Sequence, residues 1–428
     1  MTARTLAFPV VPALRRRPAR RPWRRALALV GPGYLVAVGY MDPGNWAVDI
    51  AGGAAARYGL LAVVLAASLA AMFVQDLVVR LTVATGRDLA SLMRERLPRP
   101  LSLAIWLASE VAIVATELAE LLGGAIAFKL LLGLPLTLGA LATAAITLVL
   151  MIGPIADAGR IERVVGLLVA AVALGVAAQL ALVRPDFHAV LAGFVPTADI
   201  VREPQLLYLA LGILGATVMP HNLYLHSGLV RDRLSKIPTA ERTLAGRIAA
   251  FDSCVALTLA FLVNAAILVV AGAVLPGVTG DVGLETAPRL LAGAVGTGAA
   301  AILFAGALLA AGQSSTITGA LAGQLVLQGF LARTMPAWLR LALQRGAALV
   351  LALVLLAGGG DSAGDRLLIL SQVVLSLTLP AVLLPLAWLA GRSAGSAGIG
   401  AFRRAGAWGF AVVLTGLNLY LLPGLLAA

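Results

Sequence analysis

The sequence predicts an all-α, polytopic membrane protein with eleven transmembrane helices, of which the first and the sixth are unwound in the middle. The chain of 428 residues is 61% hydrophobic and only 12% charged, and its mean hydropathy is +0.98. Ordinary soluble domains are near half apolar and about a quarter charged. A water-soluble fold is therefore excluded, because it could not hide so much apolar surface.

Eleven apolar runs are long enough to cross a bilayer, which takes about 20 helical residues. The runs lie near residues 30–54, 59–84, 101–131, 134–155, 160–183, 205–230, 247–276, 290–328, 338–358, 366–391 and 404–426. They divide the chain into an Arg-rich tail over 1–28, a ten-helix core over 29–403 and an extra helix over 404–428. Within the core we expect two repeats, over 29–183 and 204–391.

Lysine and arginine predict the orientation of these helices, because cytoplasmic loops of membrane proteins are enriched in both. If the N-terminal tail is cytoplasmic, most of the 32 lysine and arginine residues lie on the cytoplasmic side. They cluster in the tail and near 80–99, 231–247 and 392–404. We therefore expect a cytoplasmic N-terminus and an external C-terminus. This topology, and not nucleic-acid binding, accounts for the net charge of +12. The excess of Arg over Lys and the abundance of Ala favour a bacterial inner membrane.

Cysteine and histidine usage argues against an enzyme. The single cysteine, Cys254, excludes a disulfide framework and a cysteine-based zinc or iron–sulfur cluster. The three histidines form no H-E-x-x-H motif, which excludes an intramembrane zinc protease of the usual kind. We expect a membrane protein without a resident cofactor, in contact with the lipid bilayer.

Two apolar runs are interrupted in the same way. The first contains Asp42-Pro43-Gly44-Asn45, and the sixth contains Met219-Pro220-His221-Asn222. Proline removes a backbone donor and glycine frees the chain from helical geometry, and such backbone persists at membrane depth only inside protein or beside a wet cavity. The two breaks are offset by five helices, and this odd offset inverts one half relative to the other. The pattern is typical of inverted-repeat transporters with a site at the midplane.

The groups that converge on the breaks favour a divalent transition metal. They are the carboxylate of Asp42, the amide of Asn45, the thioether of Met219 and the freed carbonyls of Gly39 and Ala216. Oxygen ligands suit hard divalent cations, whereas a thioether favours softer transition metals. The mixture indicates Mn²⁺, Fe²⁺ or their first-row neighbours.

These motifs, together with Gly312–Gly319 (GQSSTITG), resemble the NRAMP family of divalent metal transporters over nearly the whole chain. The resemblance implies proton-coupled uptake of Mn²⁺ and Fe²⁺, and of the Cd²⁺ and Co²⁺ class, by alternating access in a LeuT-like fold. It also implies that Asp42, Asn45 and Met219 bind the metal through side chains, and Gly39 and Ala216 through carbonyls. Glycine replaces the family's common alanine at the first carbonyl position.

A proton path is predicted beside the metal site. Glu110, Glu117 and Glu120 share one face of the third run, and ionisable groups inside a membrane usually face a cavity or a partner. The resemblance adds Arg345 as a basic partner, although Gln344 replaces a second arginine that the family often has. Asp42, the acid within the first break, belongs to the same predicted path.

The histidines and the tenth run leave choices open. His221 adjoins the second break and could transfer protons or hydrogen-bond to a ligand, whereas His226 is expected to be structural. By the resemblance, Thr378 stands where many relatives carry a glutamine that could reach the metal. We expect water to replace the missing oxygen ligand there and Thr378→Gln to raise Mn²⁺ affinity.

Three alternatives share parts of this pattern. A same-fold amino-acid symporter is disfavoured because Asp42 would repel a substrate carboxylate. A passive divalent cation channel would need ligands in rings around an axis. A Mg²⁺ transporter would gain little from Met219, which is too soft a ligand for that ion.

Overall fold

The computed structural model describes residues 32–152, 158–276, 282–288, 290, 299–359, 363–392 and 399–427. Within these residues every regular element is helical and no strand occurs, which confirms the predicted all-α class. The predicted cytoplasmic tail, 1–28, lies outside the described residues.

The described helices coincide with the predicted apolar runs. In the first half they are α1 (Pro32–Gly39), α2 (Pro43–Ala56), α3 (Leu61–Thr85), α4 (Leu89–Arg96), α5 (Arg99–Leu132), α6 (Leu136–Ile152) and α7 (Ala158–Val183). The connection to the second half contains the short helices α8 (Phe187–Ala192) and α9 (Asp199–Arg202). The second half contains α10 (Pro204–Thr217), α11 (Pro220–Leu234), α12 (Arg242–Val274), α13 (Ala299–Leu331), α14 (Ala337–Gly359), α15 (Ala363–Arg392) and α16 (Ala401–Ala427).

The first and sixth runs are interrupted as predicted. Asp42 has extended backbone angles (φ −76°, ψ 166°), and its side chain accepts a hydrogen bond from the backbone N–H of Asn45 at the start of α2. Met219 is likewise extended (φ −71°, ψ 126°) and precedes α11. Pro43 and Pro220 each occupy a first-turn position, where the missing N–H has no helical partner to lose. The chain can therefore restart a helix directly after each break.

The number of membrane crossings stays a prediction. Eight helices of the described residues are long and apolar enough to span a bilayer, with α10 and α11 counted together as one of them. The apolar parts of α6 and α7 are shorter, at Leu136–Val149 and Val169–Val183. The first predicted run consists of two separate helices, α1 and α2, which is the expected consequence of its break.

Close helix contacts surround the breaks. The α2 helix packs along α12, and the long helix α5 packs against α13, α15 and α6. A Cβ atom on Gly215 of α10 would overlap the backbone of α15 at Gln372 and Ser376. The α10 and α15 backbones therefore touch beside the second break, which glycine alone permits without displacement.

Candidate metal site

The two breaks meet through a buried hydrogen-bond network. The side-chain amide of Asn45 donates to Asp42 Oδ1 at 2.7 Å and to the backbone carbonyl of Ala216 at 3.0 Å. All three residues are 0–1% exposed. The first break therefore contacts the second directly, and three of the five predicted metal-binding residues lie together.

The other two predicted residues meet at Asn222. The amide of Asn222 lies 3.3 Å from Met219 Sδ, and a Cβ added to Gly39 would crowd the same amide. Met219 and Asn222 are completely buried. Asn222 occupies the same position in the second motif as Asn45 in the first, but it was not among the predicted site residues.

Free acceptor atoms remain at the breaks. Asp42 Oδ2, Asn222 Oδ1 and Gln372 Oε1 are buried and have no hydrogen-bond partner among the described residues. Buried oxygen atoms of this kind are normally satisfied, and each calls for an explanation. An arriving cation would supply one, because carboxylate and amide oxygens are the ligands that Mn²⁺ and similar ions accept.

Two side chains at the site were missed by the sequence analysis. Asn264 of α12 donates to the carbonyl of Tyr40 at 2.9 Å and to Asn45 Oδ1 at 3.3 Å, and so orients Asn45. Gln372 of α15 packs against Gly44, where a Cβ would overlap its amide. A lone amide in an apolar run was the only available signal for either residue.

Thr378 occupies a different part of α15. Its hydroxyl donates to the carbonyl of Leu375 in the same helix at 2.7 Å. The side chain of α15 that lies against the first break is Gln372. The role of Thr378 as an additional metal ligand stays a prediction.

An acidic pocket gathers three predicted residues. Arg345 Nη1 lies 2.7 Å from Glu117 Oε2 and 3.5 Å from Glu120 Oε2. Ser315 and Thr316 donate to the two carboxylate oxygens of Glu120, at 2.6 and 2.7 Å. The third sequence motif therefore supplies hydroxyl donors to this pocket. All three charged side chains are at most 2% exposed.

The third predicted acid has a partner of its own. Glu110 Oε2 lies 2.5 Å from Arg340 Nη2, and the two side chains are 16% and 10% exposed. Arg340 stands on α14, the helix that also carries Arg345. The structure therefore distributes the three glutamates of α5 over two ion-pair groups, and the sequence analysis missed Arg340.

The two histidines of α11 differ in their contacts. His226 Nδ1 lies 2.7 Å from Gln75 Oε1 and His226 Nε2 lies 3.0 Å from Ser253 Oγ, so both ring nitrogens are engaged. Such contacts agree with a structural role. His221 is also buried, but its Nδ1 has no partner among the described residues. His221 therefore keeps a nitrogen available beside the second break.

A cavity opens at one end of the broken helices. It has a volume of about 470 Å³ and is lined by Ala51 and Ala54 near the end of α2, by Tyr208 of α10 and by Asp365 and Arg366 of α15. In the predicted topology these helix ends face the outside. The cavity lies beside the end of α2, and its lining contains none of the predicted metal-binding residues.

Comparisons with known proteins agree with these observations. The profile of the Nramp family, described as natural resistance-associated macrophage protein-like, matches residues 33–423. The divalent metal cation transporter MntH of Xanthomonas campestris is 48% identical over 404 residues, which cover 94% of this chain and 91% of the relative. MntH of Agrobacterium fabrum is 45% identical over 417 residues, covering 96% and 90%.

Solved structures extend the likeness to the fold. A crystal structure of a mutant of the Eremococcus coleocola manganese transporter has a TM-score of 0.83 at 33% identity, covering 96% of this chain and 89% of the other. Mhp1 in an inward-facing conformation has a TM-score of 0.57 at 16% identity, covering 84% and 76%, and shows the shared fold alone. These matches confirm the predicted LeuT-like fold. The profile match over most of the chain and the identity to MntH proteins together establish that this multi-pass membrane protein belongs to the Nramp family of transporters.

Proposed function

We propose that this protein takes up divalent transition metal ions, Mn²⁺ and Fe²⁺ first among them, by proton-coupled alternating access. The observation that carries the proposal is the buried junction of Asp42, Asn45 and the Ala216 carbonyl, which joins the two broken helices. The names of the MntH relatives and of the manganese transporter support the same class of cargo. No step of this cycle requires a resident cofactor or an enzymatic reaction.

Metal binding would exchange hydrogen bonds for metal–oxygen contacts. Asp42 Oδ2 is free to accept a cation, whereas Asp42 Oδ1 is held by the Asn45 amide. Asn45 binds a cation through Oδ1, which Asn264 already orients. With the carbonyls of Gly39 and Ala216 and the thioether of Met219, these groups form an oxygen-rich shell with one soft ligand. Such a shell favours first-row transition ions over Mg²⁺.

Proton coupling would use the acids of α5 together with Asp42 and His221. Metal binding at Asp42 requires the ionised carboxylate, so the proton of that group must leave. Glu117 and Glu120 lie beside a single guanidinium, Arg345, which can balance the charge of one carboxylate while the other carries a proton. The pair of Glu110 with Arg340 would extend the route along α5.

The cellular setting of the proposal follows from the sequence. The distribution of arginine and lysine supports a cytoplasmic N-terminus and an external C-terminus in a bacterial inner membrane. The tail over 1–28, the core over 29–403 and the extra helix over 404–428 would then be a cytoplasmic segment, the transporting unit and an added span. The partners are the metal ions, protons and surrounding lipid.

Flux into proteoliposomes tests both parts of the proposal. Mn²⁺ uptake should occur in the parent protein, accelerate with an inward proton gradient and acidify the lumen. Mg²⁺ at the same concentration should be carried poorly. Mn²⁺ uptake that is indifferent to the proton gradient would refute the coupling, and equal uptake of Mg²⁺ would refute the metal class.

A further inference from the structure

The α15 helix contains a proline at a point where the backbone carbonyl that it leaves without a donor is deeply buried. Pro380 lies inside the helix, and proline lacks the N–H that would bond the carbonyl four residues earlier. That carbonyl belongs to Ser376, whose exposure is 0%. A buried carbonyl without a donor is unfavourable, so another group must replace the missing N–H.

Asn418 of α16 supplies the replacement. Its side-chain Nδ2 donates to the Ser376 carbonyl at 2.8 Å, and the Ser376 hydroxyl donates back to Asn418 Oδ1 at 3.0 Å. Asn418 is 4% exposed. The nitrogen and the oxygen of the Asn418 amide thus both hydrogen-bond to Ser376 of α15. The donor comes from the last helix of the chain, outside the ten-helix core.

The supported stretch of α15 contacts both broken helices. Gly215 of α10 lies against the α15 backbone at Gln372 and Ser376, and the neighbouring carbonyl of Ala216 accepts from Asn45. One turn before Ser376, the side chain of Gln372 packs against Gly44. A shift of α15 at Ser376 would therefore reach the metal site from two directions.

We propose that Asn418 is a positioning residue for the metal site, which acts by replacing the backbone donor that Pro380 removes from α15. The extra helix α16 thereby holds the proline-containing part of α15 in the geometry that places Gln372 and Gly215 beside the breaks. The inference rests on the proposed metal transport and does not depend on proton coupling.

A packing role for Asn418 predicts a different dependence on residue 380. If Asn418 only fills space between α16 and α15, its replacement has the same effect whether residue 380 is proline or alanine. If Asn418 replaces a missing donor, alanine at position 380 restores the N–H within α15 and makes Asn418 dispensable. The two roles are thus separated by a double-mutant cycle.

The cycle uses the full-length parent, Asn418→Leu, Pro380→Ala and the double variant, with Mn²⁺ binding measured by calorimetry. Asn418→Leu should weaken Mn²⁺ binding about fivefold to tenfold, because it leaves the Ser376 carbonyl buried and unpaired. In the Pro380→Ala background, Asn418→Leu should weaken Mn²⁺ binding by less than about twofold.

Thr415→Val in α16 is the matched control. The Thr415 hydroxyl bonds the carbonyl of Ala411 in its own helix at 2.6 Å, so Mn²⁺ affinity should remain at the parent value. Equal losses from Asn418→Leu in both backgrounds would overturn the proposal, and so would unchanged affinity in a folded Asn418→Leu protein.

Melting temperatures of the same four proteins give a readout that requires no metal. Asn418→Leu should lower the melting temperature clearly in the parent and little in the Pro380→Ala background. A parent protein that binds no Mn²⁺ would refute the proposed function, and the melting temperatures would then decide alone whether Asn418 replaces the donor. An equal decrease in melting temperature in both backgrounds would show that Asn418 does not replace the missing backbone donor.

Discussion

Asp42 has two different oxygen atoms in this structure. Oδ1 accepts two hydrogen bonds from Asn45, which fix the carboxylate at the start of α2. Oδ2 is buried and has no hydrogen-bond partner among the described residues. One oxygen therefore maintains the break, while the other remains available for a cation or a proton.

Removing the charge at Asp42 should have a different effect from removing it in the acidic pocket. Asp42→Asn should abolish both Mn²⁺ binding and uptake, because the site loses its only ionised ligand. Glu117→Gln or Glu120→Gln should leave Mn²⁺ binding within about threefold, because these carboxylates bond to Arg345 and hydroxyl groups and not to the breaks. Mn²⁺ uptake by these two variants should depend less on pH than uptake by the parent protein. Calorimetry and uptake between pH 5 and pH 8 measure the two effects, and equal loss of binding in all three variants would contradict this separation.

Met219 is the one soft group in an otherwise oxygen-based set of predicted ligands. Met219→Ala should retain Mn²⁺ uptake, weaken Cd²⁺ binding about tenfold and relax the exclusion of Mg²⁺ and Ca²⁺, because a thioether favours soft ions. Competition of each ion against Mn²⁺ uptake measures the change. Met93→Ala is the control, because Met93 is buried and its sulfur lies near the Tyr224 hydroxyl. A Met219→Ala protein that discriminates against Mg²⁺ as well as the parent does would exclude Met219 as a selectivity ligand.

At the scale of helices, the sequence predicted the two breaks and the shared face of the glutamates on α5. It did not predict which residues of other helices contact them. Proline beside Asp42 or Met219 interrupts an apolar run, and this local pattern is visible without a structure. Glu117 and Glu120 share a helix face by spacing alone. Asn264, Arg340 and Gln372 could not be found in this way, because an isolated polar residue in a transmembrane run does not reveal which distant helix it contacts.

The face of α15 that meets the first break determines which of its side chains can affect the metal. Gln372 packs against Gly44, whereas Thr378 bonds within its own helix. Gln372→Ala should therefore weaken Mn²⁺ binding about threefold to tenfold through the loss of one amide contact. Thr378→Val should change the affinity less than twofold. Calorimetry at one pH compares them, and Thr378→Gln tests the sequence-based expectation directly. A larger effect at Thr378 than at Gln372 would show that this face of α15 turns during binding.

At the scale of the whole molecule, the predicted metal ligands and the acidic pocket belong to different helices. The broken helices carry the predicted ligands, while α5 packs against α13 and α15 and carries the acidic pocket. The predicted metal ligands and the pocket use different side chains, and the pocket contains buried ion pairs. In the proposed cycle, Asp42 is the group that belongs to both the metal site and the proton path.

The orientation of the molecule gives a test that is independent of transport. The positive-inside bias predicts that the connection containing α8 lies outside and that the connection after α11 lies in the cytoplasm. His188 and Lys236 are exposed residues of these two connections. In a Cys254→Ala background, a cysteine at position 188 should react with a membrane-impermeant maleimide in intact cells. A cysteine at position 236 should react only after permeabilisation. Both proteins should first be shown to take up Mn²⁺, so that each reports on the functional topology. The reverse labelling pattern would invert the assigned orientation.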